Sequence, residues 1–261
     1  MKRLAFLLLL SLLLAGCTVT DSGIAPRTLT VYAAASLTEA FTEIGTAFEA
    51  SHPGVVVSLN FGGSQNLRTQ IEQGAPVDVF ASANQKEMDT LISQGLVRRP
   101  TVKVFLTNRL VVILPKDNPA GISSLEDLSQ PGLKLVLAAE EVPAGSYARQ
   151  ALEQLVARFG ADYKEQVLAN VVSNEDNIRQ VLTKVQLGEA DAGIVYVSDA
   201  VAVPELLQIE IPADANVVAE YPIAALAGSE VPELSSEFID YVLSPPGQAT
   251  LEKWGFTPVV P

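Results

Sequence analysis

The sequence predicts an α/β protein of two lobes, each a mainly parallel sheet flanked by helices, with the lobes joined by a two-strand hinge. Three observations support this fold class. The 261 residues exceed the usual size of one hydrophobic core. Short apolar runs alternate with amphipathic stretches, which is typical of βα units. A fresh series of such units begins near residue 110, and an apolar run at 219–226 is typical of a returning strand.

These observations divide the chain into segments. We assign residues 27–107 to the first lobe, 108–217 to the second lobe and 218–261 to a return segment of the first lobe. The hinge is expected where the chain passes between the lobes, near residues 106–110 and 216–220.

The residues before this fold have the pattern of an export signal. Lys2 and Arg3 precede an apolar run at 4–14, which is shorter than the roughly 20 residues that span a bilayer. We therefore predict a lipoprotein signal peptide at 1–16. Leu14-Ala15-Gly16-Cys17 resembles a bacterial lipobox, which implies lipid on the Cys17 sulfur. The alternative is an ordinary secretory signal followed by an unmodified thiol. Residues 17–26 are then a flexible, lipid-anchored tether.

The first lobe begins with a strand at 29–35 that leads into an amphipathic helix. Leu37, Phe41, Ile44 and Phe48 recur at helical spacing and form one apolar stripe, which we expect to pack on the sheet. The rest of this lobe is predicted as strands at 55–59 and 76–80 and helices at 64–73 and 88–93.

The second lobe repeats the alternation of strands and helices. Its predicted strands are 110–114, 133–138, 170–172 and 193–196, and its predicted helices are 144–159 and 177–187. The return segment is predicted as a strand at 219–226 followed by helices at 233–243 and 248–254.

Composition excludes several classes of function. The net charge of −13 disfavours a nucleic acid partner, because like charges repel. His52 is the only histidine and Cys17 the only cysteine, so neither a Ser–His nor a Cys–His nucleophile is expected. We therefore predict a protein that is not an enzyme, with no cofactor and no site for a free metal cation.

Helix N-termini that directly follow strands offer a different chemistry. Their free backbone N–H groups and positive dipole ends suit an anion. Ser36 and Ser64 occupy such positions, and Ala144 opens a helix after Pro143. Each position has an alternative interpretation. Ser36 with Glu39 matches a capping box, the glycines before Ser64 are common in loops, and Pro143 is typical of simple helix initiation.

Two more candidates lie in the second lobe. A helix begins near Ile178, where Asn174 or Asp176 could serve as its cap. Tyr196 ends an apolar run, and the carboxyl ends of strands in such folds are where ligands bind. Core packing with a satisfied hydroxyl is the alternative for Tyr196.

Six segments, in the same order along the chain, resemble the periplasmic molybdate-binding proteins of molybdate ABC transporters. They are Ala33-Ala34-Ala35-Ser36-Leu37-Thr38, residues 70–80, Val142-Pro143-Ala144-Gly145, Gly193-Ile194-Val195-Tyr196, Glu220-Tyr221-Pro222-Ile223 and Trp254-Gly255-Phe256. The resemblance implies a type II periplasmic binding protein that closes on molybdate or tungstate. It also implies an extracytoplasmic location, and as partners an ABC permease with its ATPase and the membrane through the N-terminal lipid. We expect a monomer.

The resemblance also implies a set of ligand-binding residues that carry no charge. They are the hydroxyl and N–H of Ser36 and of Ser64, the N–H groups of Ala144 and Ile178, and the hydroxyl of Tyr196. Three other functions stay open from the sequence. These are a binding protein for sulfate or a small organic anion, an enzyme on the same fold, and a ligand-dependent signalling receptor.

Overall fold

The computed structural model describes residues 27–259 and contains two sheets. The N-terminal segments predicted at 1–16 and 17–26, with Cys17, lie outside the described residues. The strands of the first sheet, in chain order, are β1 Arg27–Ala34, β2 Val55–Gly62, β3 Val79–Ala81, β4 Lys103–Asn108, β10 Ala219–Ala225 and β11 Thr257–Pro258. Those of the second sheet are β5 Leu110–Leu114, β6 Leu135–Ala138, β7 Val171–Glu175, β8 Ala192–Tyr196 and β9 Leu207–Glu210.

Helices flank both sheets. They are α1 Thr38–Ser51, α2 Ser64–Glu72, α3 Gln85–Ser93, α4 Pro143–Phe159, α5 Tyr163–Ala169, α6 Ile178–Gln186, α7 Val197–Ala202, α8 Pro232–Leu243 and α9 Pro245–Lys253. A 3₁₀ turn at Ala35–Leu37 joins β1 to α1. Within residues 27–259, no helix has the length and apolar character needed to cross a bilayer.

The apolar stripe predicted on the first helix is confirmed. Leu37, Phe41, Ile44 and Phe48 are all fully buried. The rings of Phe41 and Phe48 both pack edge-on against Phe238 of α8, at centroid distances of 6.0 and 5.3 Å. The return segment therefore completes the core of the first lobe, although it is far away in sequence.

Both sheets are mixed, so the prediction of mainly parallel sheets is corrected. The first sheet has the order β11-β4-β10-β3-β1-β2, in which β1 pairs parallel with β2 and β3 and the other neighbours pair antiparallel. The second has the order β7-β6-β8-β5-β9, in which β6 pairs parallel with β7 and β8 and the other neighbours pair antiparallel. The strands on either side of the two connections between the lobes, β4, β5, β9 and β10, all pair antiparallel. Antiparallel pairing does not need the helical crossover that parallel pairing requires.

The chain passes between the sheets twice. It leaves the first sheet between β4 and β5, at Arg109, and returns between β9 and β10. Asn216 links the connection between β9 and β10 to the connection between β4 and β5. Its side-chain amide accepts from the Leu110 N–H at 2.9 Å and donates to the Leu110 carbonyl at 2.8 Å. The two crossings are therefore held side by side between the lobes.

Candidate functional site

A small cavity lies between the two sheets, where the parallel strands of each sheet end. From the first sheet its walls follow the carboxyl ends of β1, β2 and β3, and from the second those of β6, β7 and β8. The five residues singled out by the sequence all line it, namely Ser36, Ser64, Ala144, Ile178 and Tyr196. Among the described residues, none of those that form the wall is charged.

Ser36 lies in the 3₁₀ turn after β1 and is almost fully buried. Its hydroxyl oxygen is 2.9 Å from the hydroxyl oxygen of Tyr221, which lies in β10. Helix α1 begins without a side-chain cap, so the capping box with Glu39 is not formed. The Ser36 hydroxyl therefore belongs to the cavity wall rather than to the helix terminus.

Ser64 is the first residue of α2, and its hydroxyl also serves no cap. Its Oγ accepts a hydrogen bond from the Ala83 N–H at 3.0 Å, which leaves the hydroxyl hydrogen free to donate.

Gly63 has an ordinary φ of −62°. A Cβ at this position would nevertheless lie 2.4 Å from the carbonyl oxygen of Asp176 in the second lobe. Glycine is required here for the close approach of the two lobes.

Ile178 is the first residue of α6, and Asn177 is its cap. The Asn177 side chain accepts from the N–H groups of Arg179 and Gln180, at 3.0 and 3.2 Å. The N–H of Ile178 is left without a partner in the described part of the chain. Neither Asn174 nor Asp176 is the cap, contrary to the sequence-based expectation. Asn174 lies in β7, one strand residue before the turn into the helix.

Ala144 presents a similar backbone group at the start of α4. Pro143 occupies the first helical position and has no N–H, and Val142 provides no side-chain cap. The N–H of Ala144 belongs to the first helical turn, where backbone donors have no intrahelical acceptor. The N-termini of α4 and α6 thus both lie at the cavity, so the positive ends of two helix dipoles face it.

Tyr196 closes the cavity from the end of β8, and its side chain is buried. Its hydroxyl oxygen makes no hydrogen bond of standard geometry within residues 27–259, although the Tyr221 hydroxyl is near enough to influence its pKa. Burial is the main reason that the pKa of Tyr196 lies well above its ordinary value, so the hydroxyl keeps its hydrogen. A buried hydroxyl without a partner costs about 1–3 kcal/mol, and a ligand that accepts from it would remove that cost.

Charged groups lie behind the wall instead of in it. Asp199 is fully buried, accepts from the Tyr196 N–H at 3.2 Å and lies 3.5 Å from Arg179 Nε. Burial raises the pKa of the Asp199 carboxyl to about 6, although Arg179 and the Tyr196 N–H act in the opposite direction. Arg179 also forms an ion pair with Glu39 and donates from Nε to the Ala35 carbonyl at 3.3 Å. It therefore connects α6 of the second lobe to the first lobe.

A second contact between the lobes lies beside the cavity, and a third lies at the hinge. Gln65 Nε2 donates to the Asp176 carbonyl at 3.0 Å. Asn108, at the end of β4, donates to Ser198 Oγ in α7 at 2.9 Å. The lobes are thus in direct contact around the cavity in this structure.

Sequence reasoning assigned no role to Tyr221, Asn177 or Arg179. For Asn177 the signal was available, because asparagine directly before an amphipathic run is a strong helix cap. Tyr221 stood within a segment that carries the family resemblance, but Ser36, which it contacts, is 185 residues away. Arg179 gives no local signal, because its partners Glu39 and Ala35 belong to the other lobe.

Comparison with known proteins identifies relatives of this chain. The family model described as bacterial extracellular solute-binding protein matches residues 29–257. The molybdate-binding protein ModA of Mycobacterium tuberculosis is 41% identical over 232 residues, which are 88% of this chain and 84% of that protein. The putative ABC transporter substrate-binding lipoprotein YvgL of Bacillus subtilis is 31% identical over 250 residues, 94% of each chain.

A solved structure agrees with these relatives. The substrate-binding domain of a putative molybdenum ABC transporter from Clostridium difficile matches with a TM-score of 0.67 and 33% identity, over 89% of this chain and 99% of that one. The two-lobe α/β fold predicted from the sequence is thereby confirmed, as is the prediction of a binding protein rather than an enzyme. The chain belongs to the bacterial extracellular solute-binding protein family and is a relative of its molybdate-binding members.

Proposed function

We propose that this protein captures molybdate or tungstate between its lobes and delivers the anion to the permease of an ABC transporter. One observation carries the proposal, namely that uncharged hydrogen-bond donors from both lobes converge on one buried cavity. The ligand-binding groups would be the hydroxyls of Ser36, Ser64 and Tyr196 and the N–H groups of the wall, including those of Ala144 and Ile178. The names of the Mycobacterium and Clostridium relatives support the choice of anion.

The chemistry of the wall suits an anion that carries no proton. Molybdate and tungstate are fully deprotonated near neutral pH and present only acceptors, so every donor of the wall finds a partner. Monohydrogen phosphate would place its own hydrogen against another donor, which costs free energy. Sulfate has the same charge and the same acceptors, so it must be rejected by size.

The main alternative is another oxyanion, above all sulfate, because it offers the neutral donors the same charge and the same acceptors. A small organic anion is less favoured. The cavity has room of only about 10 Å³ for the centre of a water-sized sphere, far less than the roughly 300–1,000 Å³ typical of pockets for larger small molecules.

We further propose that the protein works outside the cytoplasm, held at the membrane by lipid on Cys17. The lipobox-like sequence supports this location, and the Bacillus subtilis relative carries the name lipoprotein. The segments assigned to signal (1–16), tether (17–26) and lobes (27–107, 108–217 and 218–261) stay predictions, as does the monomeric state.

Calorimetric titration of the full-length protein in detergent against four oxyanions tests the anion. We expect tight binding of molybdate and tungstate and little heat with sulfate or phosphate. A sulfate affinity equal to that for molybdate would replace the proposal with the sulfate alternative. Weaker binding in a protein with Tyr196→Phe would tie the observed binding to this cavity.

A further inference from the structure

Tyr221 lies directly behind the cavity but is not part of its wall. It belongs to β10, the return strand, and its side chain is fully buried. Three aromatic rings surround it edge-on, those of Tyr196, Phe105 and Phe256, at centroid distances of 5.8, 6.5 and 5.8 Å. The ring is thus fixed by packing, which fixes the position of its hydroxyl.

The hydroxyl of Tyr221 lies 2.9 Å from Ser36 Oγ, and the side chains of Asn108 and Tyr196 are also near enough to influence its pKa. Burial raises the pKa of Tyr221 far above its ordinary value, so the hydroxyl keeps its hydrogen. That hydrogen needs an acceptor, because a buried donor without one is costly. Ser36 Oγ lies at hydrogen-bond distance and can accept it, although the separation of 2.9 Å fits either direction.

The direction of the hydrogen bond between Tyr221 and Ser36 determines where the Ser36 hydroxyl hydrogen points. A serine hydroxyl has one hydrogen, and when Tyr221 donates to its oxygen that hydrogen is directed away from Tyr221. Ser64 shows the same arrangement with an unambiguous donor, since its Oγ accepts from the Ala83 N–H. With Tyr221 as the donor to Ser36, both serines of the first lobe are held from behind by a protein donor.

We propose that Tyr221 is a positioning residue for anion binding, which donates to Ser36 and thereby directs the Ser36 hydroxyl hydrogen into the cavity. This inference rests on the proposed function of the cavity and adds a residue that does not touch the ligand. The two hydroxyls form a chain that ends on the anion, and donors in such a chain polarise one another. Without Tyr221, the Ser36 hydroxyl rotates freely until the ligand orders it.

A double-mutant cycle with Tyr221→Phe and Ser36→Ala tests the assignment. Phenylalanine keeps the packed ring and removes only the hydroxyl. In the otherwise unaltered protein, Tyr221→Phe is expected to weaken molybdate binding by about 3- to 10-fold in calorimetry. In the Ser36→Ala background, the same change is expected to leave the affinity unaltered, because the group through which Tyr221 acts is gone.

Thermal unfolding of the same four proteins gives a second readout. Ser36→Ala leaves the Tyr221 hydroxyl without an acceptor, so adding Tyr221→Phe is expected to raise the midpoint of unfolding in that background. Tyr163→Phe is the matched control. Its hydroxyl is buried and donates to the Leu125 carbonyl at 2.5 Å, away from the cavity. It is expected to lower the midpoint and leave the affinity unchanged.

The outcomes separate this inference from the proposed function. Equal weakening by Tyr221→Phe in both backgrounds, or no weakening at all, would overturn the positioning role while leaving the binding of the unaltered protein intact. If the unaltered protein bound none of the four oxyanions, the proposed function would be wrong, and the role of Tyr221 with it.

Discussion

The two halves of the cavity offer the same kind of donor in different states. The first half-site, Ser36 and Ser64, consists of hydroxyls that already have a partner within the protein. Ser36 is bonded to Tyr221, and Ser64 accepts from the N–H of Ala83. These groups are oriented before any ligand arrives.

The second half-site, Ala144, Ile178 and Tyr196, consists of donors that the protein leaves unpaired. The Tyr196 hydroxyl and the Ile178 N–H make no hydrogen bond of standard geometry within residues 27–259. Ala144 lies in the first turn of α4, where its N–H has no helical acceptor. Unpaired buried donors destabilise a protein, so the second half-site gains most when an anion satisfies them.

The difference suggests a division of labour between the lobes. Under the proposed function, a preformed first half-site would fix the position of the anion, and an unsatisfied second half-site would supply a driving force for the lobes to close on it. Mutations in the two half-sites should therefore affect stability in opposite directions while both weaken binding.

The largest effect is expected for Tyr196→Phe. This change removes a donor to a charged ligand and should weaken molybdate binding by roughly 10- to 100-fold. It also removes a buried hydroxyl without a partner, so the free energy of unfolding of the ligand-free protein should rise by about 1 kcal/mol. Calorimetry and urea denaturation measure the two quantities. A ligand-free variant less stable than the unaltered protein would contradict the description of Tyr196 as unsatisfied.

A smaller loss of affinity, with the opposite change in stability, is expected for Ser64→Ala. Binding should weaken by about tenfold, because one of several donors is lost. The free energy of unfolding should fall by about 1–3 kcal/mol, because the buried Ala83 N–H loses its acceptor. Ser93→Ala is a suitable control, since the Ser93 hydroxyl donates to the Thr90 carbonyl at an exposed position of α3. Unchanged stability in Ser64→Ala would show that the first half-site is not preformed.

The residues of the first half-site were easier to predict from sequence than most of those of the second. Ser36, Ser64 and Ala144 each follow a strand and open a helical segment, and this pattern alone marks them as candidate anion-binding positions. Convergence of all five residues on one cavity was implied by the family resemblance instead, because no local pattern brings the ends of β1 and β8 together.

What the sequence could not predict depends on distant pairing. The mixed character of the first sheet arises because β10 inserts between β3 and β4, and this pairing depends on the whole fold. The strands β4 and β9 and the short helices α5 and α7 were not predicted either. Helix α7 follows β8 without a break, and its six residues are too few for a periodic pattern.

The last comparison concerns charge, because only the second half-site rests on a buried carboxylate. Asp199 accepts from the Tyr196 N–H, whereas the known partners of Ser36 and Ser64 are uncharged. Burial raises the pKa of Asp199 from 3.8 to about 6. Between these values the folded protein holds a proton that the unfolded chain has released, so rising pH lowers the free energy of unfolding.

Asp199→Asn should remove this dependence on pH. The unfolding free energy of the unaltered protein minus that of the variant should fall by about 1–2 kcal/mol between about pH 4.5 and pH 7, as measured in urea. Asp127→Asn is the control, because hydrogen bonds from Ser123 lower the pKa of Asp127 to about 2. Its contribution is lost only as the pH falls toward that value, so its difference should stay flat over the same range. A flat difference for Asp199→Asn as well would mean that Arg179 keeps the carboxylate ionised, and that the second half-site is anchored by an ion pair at every pH tested.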